Sequence, residues 1–155
     1  LGASGKIVSA FDIASVLAIG ADWANSARGF MFAIGCIQSQ SCHTNKCPTG
    51  VATQDTLRQR ALVVPDKAQR VYNFHRSTLK ALAEMLAAAG LEHPAQLSAK
   101  HLVRRMSATE IKLFSQLHVF LKPGELLTGE VNGEFYSRMW QMARADSFEP
   151  NDIAA

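Results

Sequence analysis

The chain has 155 residues, 48% apolar and 19% charged, the balance of a folded globular protein and not of a disordered one. Its net charge of +3 is small and its Lys and Arg are scattered along amphipathic stretches, which argues against nucleic acid as a partner. No apolar run approaches the roughly 20 residues that cross a bilayer, and the first residues lack the basic-then-apolar order of a secretory signal, so this segment is expected to be cytoplasmic and without membrane contact.

The chain opens on Leu1-Gly2-Ala3-Ser4-Gly5-Lys6, without a methionine and with a glycine turn arriving before a strand can form, which reads as a cut inside a larger unit. Residues 8–19 predict a helix with Phe11, Ala14, Leu17 and Ala18 on one face and Gly20 as its stop. Asp22-Trp23-Ala24 predicts a short strand, Asn25-Ser26-Ala27-Arg28-Gly29 a polar turn, and the residues from Phe30 to Ile34 an apolar helix. The order is that of one βαβ unit of a parallel sheet, which is stable only when buried within a larger sheet. No further strand is predicted, so the chain is expected to be a fragment.

Next come three cysteines, Cys36-x5-Cys42-x4-Cys47, followed at once by Pro48; the chain has no other cysteine. Three crowded thiols in a polar loop suit an iron–sulfur centre with three protein ligands, or a zinc ion completed by His43, and fit a structural disulfide poorly. They also point to a reducing compartment. His43 adjoins Cys42, and neighbouring residues seldom both reach one tetrahedral ion, which places zinc second. Pro48 fixes the loop's exit, Gly50 permits a turn, and Asp55 is placed to cap the following helix. Asn45 and His43 either orient the loop and its sulfurs or make local turn contacts. Asp22, beside Trp23, either lines a cofactor pocket or makes a strand-end hydrogen bond.

The remainder reads as helical. Asp66 is expected to cap a helix running to about Ala89, with Val71, Phe74, Thr78, Leu79, Leu82, Met85, Leu86 and Ala89 as its apolar stripe and Gly90 as its end. Lys80 and Glu84 form an i,i+4 pair on the solvated face. A short helix is predicted from Ala99 to Met106. The pattern Ser107-Ala108-Thr109-Glu110 then reads as a capping box for a helix that turns Ile111, Phe114, Leu117, His118 and Leu121 inward and stops at Pro123-Gly124. A last helix is expected from about Glu134 to Ala145, with Phe135, Met139 and Met142 on one side. His75 and His118 fall on apolar faces as packed histidines.

The run from Ala21 to Asp55, above all Ile34-Gly35-Cys36, Cys42-His43-Thr44-Asn45-Lys46-Cys47-Pro48 and Gly50-Val51-Ala52-Thr53-Gln54-Asp55, closely resembles the FMN-binding synthase domain of the glutamate synthase family. The resemblance is specific across about 50 residues, from the opening glycine turn to Arg60, and weaker across the helical tail. It implies an α/β fold: the C-terminal part of a (β/α)8 TIM barrel, about its last two βα units over residues 1–62, with strands one to six missing. A mostly helical extension over 63–155 would pack on it. It further implies that Cys36, Cys42 and Cys47 ligate a 3Fe-4S cluster. Loops after the last two strands of such barrels commonly hold a phosphate, so Ser4, Gly5 and Lys6 with Ser26, Ala27, Arg28 and Gly29 are the expected contacts for the FMN phosphate. The larger family members carry Gly-Gly-Leu-Arg-Thr-Gly and Gly-Phe-Gly-Thr turns there, and this chain has neither. The reading of Lys6 and Arg28 as polar loop ends therefore stands beside the phosphate reading.

The activity implied is reductive amination of 2-oxoglutarate to L-glutamate through 2-iminoglutarate, with nitrogen from ammonia or glutamine and electrons from a pyridine-nucleotide subunit or ferredoxin. A related FMN amine oxidoreductase, such as an N-methylglutamate synthase, and a non-catalytic helical metal-binding module are the alternatives. The catalytic residues would lie on the missing strands.

Overall fold

The computed structural model describes residues 1–129, 131 and 133–152. The chain divides into two compact units, residues 1–103 and 104–155.

The first unit begins with strand β1 (Gly2–Ser4), helix α1 (Ala10–Ala18) and strand β2 (Trp23–Asn25). The strands pair in parallel, Gly2 opposite Trp23, Ala3 opposite Ala24 and Ser4 opposite Asn25, so the expected βαβ unit is present. The first glycine turn is, however, preceded by a real strand. Gly2 is what permits the pairing: a Cβ there would fall 2.5 Å from the Trp23 indole nitrogen, which lies across it. The turn comes one step later, where Gly5 and Lys6 adopt φ of 106° and 55°. Buried Ile7 then anchors the chain before α1.

Ser9 caps α1 reciprocally. The Asp12 amide donates to Ser9 Oγ at 3.2 Å, and the Ser9 and Val8 amides donate to Asp12 Oδ2 at 2.8 and 3.1 Å. These donors, the Ser9 amide first, hold the Asp12 carboxyl below the usual carboxylate range.

Three helices follow: α2 (Arg28–Ala33), the single turn α3 (Thr56–Gln59) and the long α4 (Val64–Ala88). Helix α4 starts two residues before the expected cap. Pro65 occupies its first turn, where a missing N–H costs nothing, and Asp66 lies inside it, 3.1 Å from Arg70 Nε. Its far end is as expected, with Gly90 at φ 71°. The Lys80–Glu84 pair forms at 3.7 Å on an exposed face.

The core joins Ala10 and Ala14 of α1 to Leu82 and Leu86 of α4, with Ile13, Ala81, Met85, Leu91 and Leu97 around it. Alanines at i, i+4 spacing let the two helices approach closely. Phe11, expected inward, is half exposed because the buried row of α1 is Ala10, Ala14 and Ala18. Because α4 packs on both α1 and α2, it belongs with the first unit, and the chain divides well beyond the expected 62/63 boundary.

The second unit opens with a hairpin where helices were expected. Strands β3 (Val103–Arg105) and β4 (Ile111–Leu113) form a two-stranded sheet, and residues 107–110 make its turn. The Met106 amide donates to the Glu110 carbonyl at 2.9 Å, and the Thr109 amide to Ser107 Oγ at 3.3 Å. The serine thus serves a turn instead of a helix start, the competition that short hydroxyl side chains offer the backbone. Only one helical turn follows, α5 (Phe114–Leu117), leaving His118 exposed against the rings of Phe114 and Phe120. Beyond it lie α6 (Glu125–Thr128) and α7 (Glu134–Met142), and Phe135, expected inward, is exposed.

Ser9→Ala is expected to cost about 1 kcal/mol by denaturant unfolding of the full-length protein. The folded-state pKa of Asp12 is depressed, so its contribution is complete above the unfolded pKa and is lost as pH falls through the folded one. The stability difference between wild type and Asp12→Asn should therefore shrink on acidification below about pH 4.

Candidate functional site

The two polar loops proposed from sequence lie side by side. Ser4 and Asn25 are paired at the C-terminal ends of adjacent parallel strands, and the chain turns out of the sheet after each. Ser26 ties the loops together, its hydroxyl donating to the Ile7 carbonyl at 2.7 Å. Ser4, Gly5 and Lys6 are all exposed, as are Ala27 and Arg28.

Gly29 differs from the other loop residues. It is buried, and a Cβ on it would lie 2.8 Å from both Phe74 Cζ and Ser26 Oγ. Its smallness lets α2 seat on α4, where the Phe30 and Phe74 rings meet edge to face with centroids 5.2 Å apart. Seating that face fixes the other. Arg28, Met31 and Phe32 stand at i, i+3 and i+4 on α2 and line a cleft of about 360 Å³.

Cys36 and Cys42 line the same cleft. Cys36 follows directly from α2, its amide donating to the Met31 carbonyl at 2.9 Å, and the chain then folds back through left-handed Gln38 and Gln40 to bring Cys42 round. Cys42 to Thr44 form one 3₁₀ turn, ended by Asn45 at φ 63°. Asn45 is the staple of the loop. Its Oδ1 accepts from the Gln54 amide at 2.6 Å and from the Thr53 hydroxyl at 2.9 Å, and its carbonyl oxygen lies 2.7 Å from that same hydroxyl. Of the roles considered for Asn45, the structure shows it orienting the loop through residues 53 and 54 and not a local turn contact. The position was flagged by residue type; the partner Thr53 was not, because nothing local links residues eight apart.

Cys47 is placed differently. It is buried, outside the lining of the cleft, with Sγ 3.5 Å from Thr49 Oγ1. The Thr49 hydroxyl, then the amides of Ala52, Thr49 and Val51, bring its thiol down to about 7. The turn that delivers these donors depends on Gly50, at φ 76°, where a Cβ would sit 2.2 Å from the Arg58 carbonyl oxygen. Asp55 caps α3 as expected, accepting from Leu57 and Arg58 amides at 2.9 and 3.3 Å.

The donor chemistry suits a thiophilic centre: three thiols on one loop, two facing one cleft and the third held toward its thiolate form. Among the described residues no three Cys, His, Asp or Glu side chains stand together as a ready ligand set. The structure thus places two of the three thiols on one cleft and leaves Cys47 outside its lining.

A larger groove of about 550 Å³ opens on the other side of β2, between α1, α4 and residues 93–97, with Asp22, Trp23, Phe74 and His75 in its lining. Of the candidate residues it contains Ser26 and Asp22. His75, expected to be packed, is exposed beside the Phe30 ring.

Two paired parallel strands thus carry polar loops at their C-terminal ends, with the cysteine loop one short helix away. The conserved region in glutamate synthase matches residues 1–92, and the chain belongs to the glutamate synthase family. It is 44% identical over 120 residues to the glutamate synthase large subunit-like protein YerD of Bacillus subtilis, covering 77% of this chain and 23% of that protein. It is 31% identical over 113 residues to the archaeal-type glutamate synthase (NADPH) of Dehalococcoides mccartyi, covering 71% and 23%. Against the ferredoxin-dependent glutamate synthase 2 of Synechocystis the identity is 34% over 93 residues, covering 59% and 6%. The chain thus spans less than a quarter of the length of these relatives. No solved structure matches it.

Two substitutions test how the loops are held. Gly29→Ala is expected to cost about 1–3 kcal/mol in unfolding free energy, by overpacking against Phe74. Asn45→Ala removes two accepted hydrogen bonds and places alanine in a left-handed conformation, and should speed hydrogen exchange across residues 42–54. Asn45→Gly, which tolerates that φ, should do so less. Equal exchange in all three proteins would remove Asn45 from this role.

Proposed function

We propose that this chain is the part of a glutamate-synthase-like iron–sulfur flavoprotein oxidoreductase that seats the FMN phosphate and the 3Fe-4S cluster. The observation that carries the reading is an adjacency: in a member of the glutamate synthase family, the strand-end loops and the cysteine cleft are joined through six-residue α2, a rise of about 9 Å. In this reading β1 and β2 are the last two strands of a (β/α)8 barrel. The parallel pairing of only two strands and the exposure of Trp23 support their continuation into a larger sheet.

Each residue's part follows from its place. Exposed Ser4, Gly5 and Lys6 would meet the phosphate, Lys6 as a point charge and the loop amides as donors. Ser26 holds the second loop beside the first, and Gly29 sets its height over α4. Cys36, Cys42 and Cys47 would ligate the cluster. Bound FMN would supply the hydride that reduces 2-iminoglutarate, made from 2-oxoglutarate and ammonia or glutamine-derived nitrogen, and the cluster would supply the path for electrons to it. The names of relatives that specify NADPH or ferredoxin support an electron donor of one of those two kinds.

The test is cofactor content in the full-length protein purified without oxygen. The expected result is a brown flavoprotein that releases FMN on denaturation and carries about three irons. Cys42→Ser should lose the cluster and keep FMN. A colourless protein holding one zinc, or an intact cluster in Cys42→Ser, would overturn the reading.

A further inference from the structure

We infer that Cys36 and Cys42 are a redox-active dithiol, closed to a disulfide by exchange with a low-molecular-weight disulfide, and that Cys47 takes no part. The inference rests on the geometry of the cleft and not on the cluster reading above. Three cysteines allow three pairings, and the structure selects one. Cys36 and Cys42 line the same cleft of about 360 Å³, the first half-buried and the second exposed. Cys47 is buried and outside that lining, with Sγ 3.5 Å from Thr49 Oγ1. Two thiols on one cleft with the third held elsewhere make a dithiol and not a three-thiolate set.

Sequence separation does not choose the pair. Cys36 and Cys42 are six residues apart and Cys42 and Cys47 five, which leaves the entropy of loop closure nearly equal. The backbone chooses it. Cys36 is fixed at the end of α2, its amide donating to the Met31 carbonyl at 2.9 Å. Gln38 and Gln40 then adopt φ of 57° and 56°, uncommon for residues other than glycine, and the Ser41 hydroxyl donates to the Ser39 carbonyl at 3.1 Å. This reversal returns Cys42 to the cleft that Cys36 lines. The turn that holds Cys47 is tied to α3 instead, through the close pass of Gly50 against the Arg58 carbonyl.

Exchange needs one attacking and one resolving thiol. The exposed Cys42, as thiolate, attacks one sulfur of oxidised glutathione; its S–S bond breaks and one glutathione thiolate leaves. Cys36, as thiolate, then attacks the Cys42 sulfur of the mixed disulfide and releases the second glutathione. The protein gives up two electrons and two protons, the glutathione disulfide is reduced by those electrons, and its two thiolates take up the protons. Closure withdraws two of the thiols proposed as cluster ligands, and a reducing dithiol returns them.

The test uses the full-length protein, with its iron content measured and any iron then removed by a chelator under reducing conditions. The protein is exposed without oxygen to oxidised glutathione, alkylated, digested with trypsin and read by mass spectrometry. Cleavage after Arg28 and Lys46 puts Cys36 and Cys42 on one peptide, 29–46, and Cys47 on the next. The expected result is an internal disulfide in peptide 29–46, lost on treatment with dithiothreitol, and an alkylated Cys47. Cys36→Ser should accumulate the Cys42–glutathione mixed disulfide, and in guanidinium pairs that include Cys47 should appear in comparable amount. A disulfide to Cys47 in the folded protein, two separate glutathione adducts on peptide 29–46, or two free thiols there would overturn the inference. The same selectivity in guanidinium would also overturn it, by placing the choice in local sequence and not in the fold. Iron content judges the cluster reading separately: protein that never held iron but forms the pair sinks that reading alone, and iron-bearing protein whose stripped form makes no pair sinks only this one.

Discussion

The seating of α2 on α4 is the contact on which the site depends. Gly29 has no side chain to hold the helices apart, and Phe30 meets Phe74 edge to face. An α-helix repeats every 3.6 residues, so fixing this face leaves no freedom in the opposite one. Arg28, Met31 and Phe32 are aimed at the cysteine loop because Gly29 and Phe30 are committed elsewhere. The same helix sets the second strand-end loop, since Ser26 both touches the Gly29 position and binds the Ile7 carbonyl. One helix–helix contact thereby positions the second strand-end loop at one end of α2 and a thiol-lined cleft beside it.

The cysteine loop is held by a different kind of force. Its residues are polar and largely exposed, so apolar burial contributes little, and hydrogen bonds from a distant segment replace it. Asn45 receives Gln54 and Thr53, Gln59 donates to the Thr53 carbonyl at 2.9 Å, and Asp55 caps α3. Each such bond is worth only about 1 kcal/mol net, yet together they close the loop onto α3. Gly50 makes the closure sterically possible by passing against the Arg58 carbonyl. The loop is thus shaped by its own hydrogen bonds and turns, without a large apolar core of its own.

The sequence was most legible where one residue type has one physical use. The βαβ order, the Gly90 stop, the Asp55 cap and the thiol loop all follow from such residues, and the structure contains each of them. It misled where a pattern has two uses. Ser107 to Glu110 satisfies the capping-box template, but a serine that can serve a helix amide can equally serve a turn, and Val103 and Ile111 at the strand positions tip the balance toward a hairpin. Phe11 was assigned inward because apolar residues recur at helical spacing; the close approach of α4 instead selects the alanine row. The division of roles among Ser26, Arg28 and Gly29 was invisible for a related reason. Consecutive residues on a helix point about 100° apart, so a stretch that reads as one motif faces three surroundings.

That separation bears on how the site can vary. Ser4 sits on a loop whose backbone is set by left-handed Gly5 and Lys6 and by buried Ile7, so the exposed side chain at position 4 can change without moving the sheet. Arg28 and Gly29 have no such freedom from each other, because a Cβ at position 29 would crowd Phe74, on which α2 is seated, and Arg28 stands on that same helix. The turn sequences of larger family members can therefore differ from this chain at the first loop with little structural consequence. At the second loop a change at position 29 is also a change in where α2 sits.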